Sequence, residues 1–515
     1  MDRQQDQLPG TLTVTRAHLP PQTSRQSSPQ VAASRVASPH AAAHHAANPH
    51  VAVIGGGWAG LAAALELTTL GATVTVLERA RTLGGRARAL TDDNRDRTIR
   101  LRLDNGQHIL LGAYRTCLDL MQRVGVTPAT ALLRLPLQIR YADGFALAAT
   151  PGGRPWHLLA GLWQARSIPL GERARLVRKL AVAAMRGWRC HDALTVAQWL
   201  AGEPVQTIDR IWQPLCISAL NTPIEEASAQ VFLNVLRDAL LSGPGSSDML
   251  VPRIDFGALF AEPAANWLAR HGGQVHLGKP VRGLMRGASG WNVMTTPDEL
   301  EVDGIVLATA PRDASRLING IALTDASAVL AREALCTQLA ALTHAPITTV
   351  YLPAPGVRLP HPMLALRCDP ASGAFGQFLF DRGQLSAPPG SPDHEHWAIV
   401  ISVADDAVQR PRADLAAAVC HQLLEELRGV VPAADLQACL LPDKALVITE
   451  KQATFRSRPG ICRPENATGL PGLVLAGDYT AGPYPATLES AVRSGLQAAH
   501  TLWTQLTGDL PLAGR

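Results

Sequence analysis

The chain has 515 residues, of which 47% are hydrophobic, 17% charged and 4% aromatic. That balance excludes a fully disordered or fibrous protein and supports large apolar cores. The formal net charge of +4 is too weak at this length to argue for nucleic acid, and only four of the 47 basic residues are lysines.

Residues 1–49 are rich in Ala, Ser, Pro, Gln and His and read as a low-complexity tail unable to bury enough apolar surface to order itself. Asp2 and Asp6, with no apolar segment after them, are unlike a signal peptide. The pattern changes at Val51. Residues 51–54 read as a short buried strand, 55–60 as a glycine-rich turn, 61–70 as a helix stopped at Gly71, and 73–77 as a β-branched strand ending at Glu78. Residues 115–250 read as mostly helical, broken at Gly243-Pro244-Gly245. A helix at 260–270 follows, then strands at 275–277, 304–308, 348–352 and 398–403, a helix at 412–428, a strand at 473–476 and a last helix at 487–507. The expected fold is α/β: a Rossmann-type domain (50–114, 250–312 and 464–510) interleaved with a mixed-sheet plus helical substrate domain (115–249 and 313–463). Eight cysteines without a CxxC pair or zinc-ligand spacing read as reduced thiols, and no metal is expected. No apolar run is long enough to span a bilayer.

The turn is Gly55-x-Gly57-x-x-Gly60, set between a strand and a helix, with Glu78 closing the second strand. Gly55 permits the tight turn. Gly57 lets backbone N–H groups approach a pyrophosphate at the helix N-terminus, and Gly60 lets the helix pack close to the sheet. Glu78 is placed for a ribose diol and would repel a 2′-phosphate. Gly84-Gly85-Arg86 follows at once and suits the phosphates of a longer dinucleotide.

From Val51 to Arg86 the sequence resembles the family of flavin-dependent amine oxidases and carotenoid or phytoene desaturases. The resemblance implies FAD as cofactor, with Glu78 on the adenosine ribose and Gly85 and Arg86 at the phosphates. Asp104-Asn105-Gly106-Gln107-His108 resembles the family's next element, which brings Gly106 close to the isoalloxazine ring. Val281, in Lys279-Pro280-Val281, matches the position whose backbone meets adenine, and Ala308 lies in the strand and turn that return the chain to the cofactor. Gly477 and Asp478, in Leu475-Ala-Gly-Asp-Tyr479, match the C-terminal signature, with Asp478 on the ribityl and phosphate region. Thr487 and Leu488 open the last helix, whose amides and dipole would face the flavin.

Other stretches resemble a narrower subgroup, the hydroxysqualene dehydroxylases: Trp212-x-Pro214-Leu215-Cys216 through Asn221-Thr222-Pro223, Arg237-Asp238, Phe375-Gly376-Gln377 through Phe380-Asp381-Arg382-Gly383, and Glu450-Lys451 through Phe455. The resemblance implies reductive dehydroxylation of hydroxysqualene to squalene in hopanoid precursor synthesis, with a hydrophobic C30 isoprenoid as substrate. Hydroxide leaves poorly unless protonated, so a general acid is required near the carbinol. The candidates are Asp238, Asp255, Asp381 and His108, each of which could equally pair or cap, and the sequence does not choose among them. Glu489 reads as cofactor-proximal, and Cys216 as a small apolar wall residue. The alternative is an oxidative flavoenzyme of the phytoene desaturase or amine oxidase type. No second dinucleotide fingerprint is present, so the external electron donor is not specified.

A squalene-like substrate is confined to membranes. Residues 156–189 interleave Trp156, Leu158, Leu159, Leu162, Trp163 and Trp188 with Arg166, Arg173, Arg175, Arg178, Lys179, Arg186 and Arg189. That mixture suits helices lying on an anionic membrane surface. The expected location is cytoplasmic, peripheral on the inner face of the cytoplasmic membrane.

Overall fold

The computed structural model describes residues 48–90, 103–150, 161–162, 165, 167–385 and 395–508. Two sheets organise it. The first has five parallel strands in the order Leu473–Leu475, Gly304–Leu307, His50–Ile54, Thr73–Leu77, Gln274–His276. Its inner strands Gly304–Leu307 and His50–Ile54 are buried on both faces and read as apolar runs, while Thr73–Leu77 buries a β-branched sequence with Thr75 inside.

Alternate side chains on these strands serve two cores. Val51, Val53, Val74, Val76, Val306 and Val474 face the helices Trp58–Leu70 and Leu488–Thr507. Ala52, Ile54, Leu77, Ile305 and Leu307 face the other way, towards the helix Pro311–Asn319 and a small antiparallel sheet that includes Trp291–Met294. The two helices on the first face approach backbone to backbone at Gly495 and Ala59. A Cβ on Gly495 would sit 2.2 Å from the Ala59 carbonyl oxygen, so only glycine permits this crossing.

The second sheet is antiparallel, in the order Met363–Ala365, Phe378–Asp381, His396–Ile401, His344–Pro353, Leu446–Phe455. One face packs on the helix Arg412–Glu426 through Val350, Leu352, Ile399, Leu415, Val419 and Leu423. The other face carries Tyr351, Phe380, Ala398 and Val400, and packs against Leu103, Met249 and Val251.

The stretch 115–250 is less helical than expected. Leu132–Leu135 pairs antiparallel with Met249–Pro252, and Gln138–Arg140 forms a hairpin with Ala146–Ala148. Four-residue runs such as Leu-Leu-Arg-Leu fit either period, and only a partner over a hundred residues away makes this one a strand. The helix expected at 260–270 is a π-turn at Gly257–Ala261 followed by α-helix at Glu262–Arg270. The helices Gln213–Leu220 and Ala229–Leu241 enclose Trp212, Cys216, Leu220 and Phe232. Among the described residues no helix is long and apolar enough to cross a membrane. Trp156, Leu158, Leu159, Trp163 and Arg166 lie outside the described residues.

Candidate cofactor and substrate site

The glycine turn is built by contacts that exclude side chains. Gly55 has φ +114°, and a Cβ there would meet the Ala308 carbonyl oxygen at 2.4 Å. A Cβ on Gly60 would lie 2.0 Å from the Gly55 carbonyl oxygen. Gly57 differs, because the nearest atom to a Cβ there is the Gly85 Cα at 3.8 Å. A Cβ on Gly57 would thus make only an ordinary contact with the Gly84-Gly85 turn, which packs against the helix N-terminus. The Gly84 N–H, donating to the Gly56 carbonyl at 2.9 Å, holds that turn in place.

Glu78 is nearly buried at the end of its strand. Its carboxylate accepts from the backbone N–H groups of Gly56 and Ala80, both at 2.7 Å. The Lys279 N–H donates to the Glu78 carbonyl at 2.9 Å, which brings the Lys279-Pro280-Val281 segment to the same corner. Val281 is buried there beside Leu77. Ala308 donates its N–H to the Ile54 carbonyl at 2.8 Å and sits against the glycine turn.

Arg86 and Asp478, both expected at the cofactor phosphates, are ion-paired with each other. A second guanidinium nitrogen of Arg86 donates to the Ala453 carbonyl at 2.9 Å. The Gly477 N–H donates to the Ser494 hydroxyl at 3.0 Å, tying the C-terminal signature to the last helix. Thr487 caps that helix, exchanging hydrogen bonds with Ser490, and Leu488 is its first residue. Glu489 points elsewhere. Its buried carboxylate accepts from the Thr116 hydroxyl at 2.7 Å and the Cys117 N–H at 3.0 Å, so it caps the helix Arg115–Arg123.

The loop 104–108 meets the second sheet. The Tyr351 hydroxyl donates to the Asp104 carbonyl at 3.0 Å, and Arg382 donates to the Gln107 side chain at 3.0 Å. The Asp104 carboxylate accepts from the Phe256 N–H at 2.9 Å. Burial, countered in part by Arg382, raises this carboxyl to about 7. The His108 ring stands edge-on to Phe256 at 4.9 Å, and burial pulls the imidazole down to about 4, so it is neutral at pH 7. The apolar side chains of Ile109, Leu133, Leu135, Ile347, Phe378 and Ile448 are partly buried around this junction.

The structure separates the other acid candidates. Asp238 accepts from Arg237 Nε at 2.6 Å and from the Tyr484 hydroxyl. Its burial is outweighed by these bonds, which hold the carboxyl below its ordinary range. It lines a polar cleft of about 480 Å³ with Arg115, Tyr484, Glu489, Arg493 and His500. Neither the glycine turn nor the 104–108 loop lines that cleft. Asp381 is buried and accepts from the Leu359 N–H at 2.9 Å and Gln384 Nε2 at 2.7 Å, which staples a loop to its strand. Asp255 accepts from the Ala258 N–H at 2.9 Å and caps the π-turn. Cys216 is enclosed in the helical core, and burial pushes its thiol up. Of the four candidates only His108 lies on the 104–108 loop. Asp104, Tyr351 and Arg382 join it there, and no spacing rule links positions so far apart in sequence.

Among the described residues, the buried polar atoms without a hydrogen-bond partner include His108 Nε2, Thr349 Oγ1 and the Tyr479 hydroxyl. Together with the Arg86–Asp478 pair, they fit an extended ligand such as FAD. It would run from Glu78 past Gly57 and Arg86 towards Gly106.

A family model described as flavin containing amine oxidoreductase matches residues 58–502. The chain is similar to hydroxysqualene dehydroxylase of Rhodopseudomonas palustris, 29% identical over 466 residues that cover 87% of this chain and 96% of the relative. It is also similar to 15-cis-phytoene desaturase of an Oncidium hybrid cultivar, 24% identical over 87% of this chain and 77% of the relative. Among solved structures, cyclohexylamine oxidase from Brevibacterium oxydans superposes with a TM-score of 0.62 at 17% identity, covering 89% of this chain and 99% of that one.

Proposed function

The chain belongs to the flavin-containing amine oxidoreductase family, and from that premise we propose that it removes the hydroxyl group of hydroxysqualene to give squalene. It is an FAD-dependent oxidoreductase. The near end-to-end match with a hydroxysqualene dehydroxylase carries the finer reading. The apolar junction between the 104–108 loop and the second sheet supports it, since a C30 hydrocarbon needs such walls.

Replacing C–OH by C–H consumes one hydride and one proton and releases water. FAD, reduced by an external donor, supplies the hydride when bound. The chain must supply the proton and keep bulk water away. Asp104, two residues from Gly106 and raised to about 7, holds a proton near neutrality. Asp238 is held ionised by Arg237 and Tyr484. We therefore assign the proton source to Asp104. Ile109, Ile347, Phe378 and Ile448 exclude water from the carbinol. Amine oxidation finds little support in the lysines. Lys179 pairs with Glu203 and Lys279 with Asp298, while Lys444 and Lys451 are exposed.

The reading also places the protein peripherally on the inner face of the cytoplasmic membrane. The helix Leu170–Met185 buries Leu176 and Ala183 and turns outward Leu170 (69% exposed), Met185 (79% exposed), Arg175 and Arg178. Arg186 and Arg189 continue the exposed cationic row. Apolar tips among arginines match an anionic lipid surface.

The test is anaerobic. The FAD-loaded protein is reduced and mixed with hydroxysqualene in detergent, and flavin reoxidation and squalene are followed together. Stoichiometric squalene is expected. Absence of both signals overturns the reading. Reduction of the oxidised protein by a polyene hydrocarbon would favour the desaturase direction instead.

A further inference from the structure

Thr349 stands in an apolar face. Along its strand the side chains of Ile347 and Tyr351 share its side, because side chains alternate along a strand. Across the sheet its register partners are Val400 and Ile448. All four neighbours belong to the apolar cluster that faces the 104–108 loop. Thr349 is 1% exposed, and its hydroxyl has no hydrogen-bond partner among the described residues. A valine would fill the same space without stranding a hydroxyl, so threonine here calls for a ligand.

A second unpartnered atom faces the same point. The missing Cβ of Gly106 would lie 3.5 Å from Thr349 Oγ1 and 3.5 Å from His108 Nε2. Apart from Gly106 and its chain neighbours Asn105 and Gln107, these two residues supply the three heavy atoms nearest that point. The neighbouring polar groups are already engaged: Gln107 accepts from Arg382, and the Tyr351 hydroxyl donates to the Asp104 carbonyl. Thr349 and His108 thus converge from two elements on one point beside Gly106, where the absent side chain leaves both atoms without a neighbour.

We propose that Thr349 Oγ1 and His108 Nε2 jointly hold the carbinol oxygen of the substrate. The proposal rests on the dehydroxylase reading and deepens it. A carbinol donates one hydrogen bond and accepts others. A threonine hydroxyl and a neutral imidazole nitrogen offer the matching donor and acceptor. The pair gives the chain a means of telling hydroxysqualene from squalene, whose carbon skeleton is the same. It also fixes the C–O bond next to Gly106, where the resemblance puts the flavin ring.

The experiment titrates oxidised, FAD-loaded protein with hydroxysqualene and separately with squalene, both in detergent, reading the perturbation of flavin absorption. Wild type should bind hydroxysqualene more tightly. Thr349→Val and His108→Phe should each weaken hydroxysqualene by at least about tenfold and leave squalene unchanged. Thr349→Val should melt no lower than wild type, which separates ligand binding from a structural role. Unchanged hydroxysqualene affinity, equal loss of both ligands, or a lowered melting temperature in Thr349→Val overturns the proposal. So does a shifted absorption spectrum in ligand-free Thr349→Val with ligand discrimination intact, which assigns the pair to a carbonyl oxygen of the flavin. Wild type that turns over hydroxysqualene but does not discriminate sinks the pair alone. Wild type that neither binds nor converts hydroxysqualene sinks the functional reading, and the pair with it.

Discussion

Arg86 and Asp478 lie 392 residues apart in sequence and form an ion pair in the fold. Arg86 also donates to the Ala453 carbonyl, so one guanidinium joins the first βαβ unit, the long strand of the second sheet and the C-terminal signature. Both charges stand where the resemblance expects cofactor phosphates. Asp478 holds the guanidinium in position, and the guanidinium can then meet an anion.

Asp478→Asn should therefore loosen Arg86 rather than unfold the protein. A charge-assisted hydrogen bond contributes about 1.5–3 kcal/mol, so FAD affinity should fall roughly ten- to a hundredfold. Fluorescence quenching of free FAD by the deflavinated variant measures this. Unaltered affinity would show that the pair serves the fold alone.

The glycine turn predicts a contrast between two alanines. Gly60→Ala drives a methyl against the Gly55 carbonyl at 2.0 Å and should cost more than about 2 kcal/mol, lowering the melting temperature of the flavin-free protein. Gly57→Ala meets only the Gly85 Cα at 3.8 Å. It should fold normally yet bind FAD poorly, because its methyl stands at the helix N-terminus, where the pyrophosphate must approach the backbone N–H groups. Equal melting temperatures for the two variants would contradict this division.

Asp104 makes a prediction about pH. Its carboxyl is raised from 3.8 to about 7 by burial, with Arg382 opposing and Asp255 reinforcing the rise. Between about pH 4 and 7 the folded protein keeps a proton that the unfolded chain has lost, so this group lowers stability as pH rises through that window. Asp104→Asn keeps an acceptor for the Phe256 N–H and removes the ionisation. Its melting temperature relative to wild type should climb from pH 4.5 to pH 7.5. His108, pulled down to about 4, pushes wild-type stability the opposite way over part of this range, so the comparison must be made variant against wild type at each pH. A difference that does not change with pH would rule out a titrating Asp104.

The exposed arginines predict salt-dependent membrane binding. Each basic residue near an anionic surface contributes about 1 kcal/mol. Replacing Arg175, Arg178, Arg186 and Arg189 by glutamate should reduce co-sedimentation with phosphatidylglycerol vesicles by on the order of a hundredfold or more. Added salt should release the wild type, whereas neutral vesicles should bind both proteins equally weakly. Unchanged binding to anionic vesicles would remove this helix from the membrane contact.

The legible parts of the sequence were those whose physics is local. The βαβ unit from 50 to 78 is announced by an apolar strand, three glycines at fixed spacing and an acid at the strand end. The strands at 132–148 were hidden, because runs of three or four residues carry no period and their pairing is long-range. Asp238 and Asp381 looked like acids because a motif carries the residue type and not its partners, and only the fold shows Arg237, Tyr484 and Leu359 bound to them. Thr349 was invisible for a related reason. Its meaning lies in the strand's register against Val400 and Ile448, and a sequence does not print register.

The strand order of the parallel sheet governs when this protein becomes able to hold its cofactor. His50–Ile54 and Leu473–Leu475 flank the same strand, Gly304–Leu307. On a ribosome adding about 5–20 residues per second, the first strand waits roughly 20–80 s for the last to be made. Arg86 waits nearly as long for Asp478, and the glycine turn waits longest for the helix that crosses it at Gly495. During that interval the nascent chain shows bare valine-rich edges, the kind of surface that holdase chaperones cover. Flavin capture should therefore come late in synthesis, once Asp478 and the helix Leu488–Thr507 have been made.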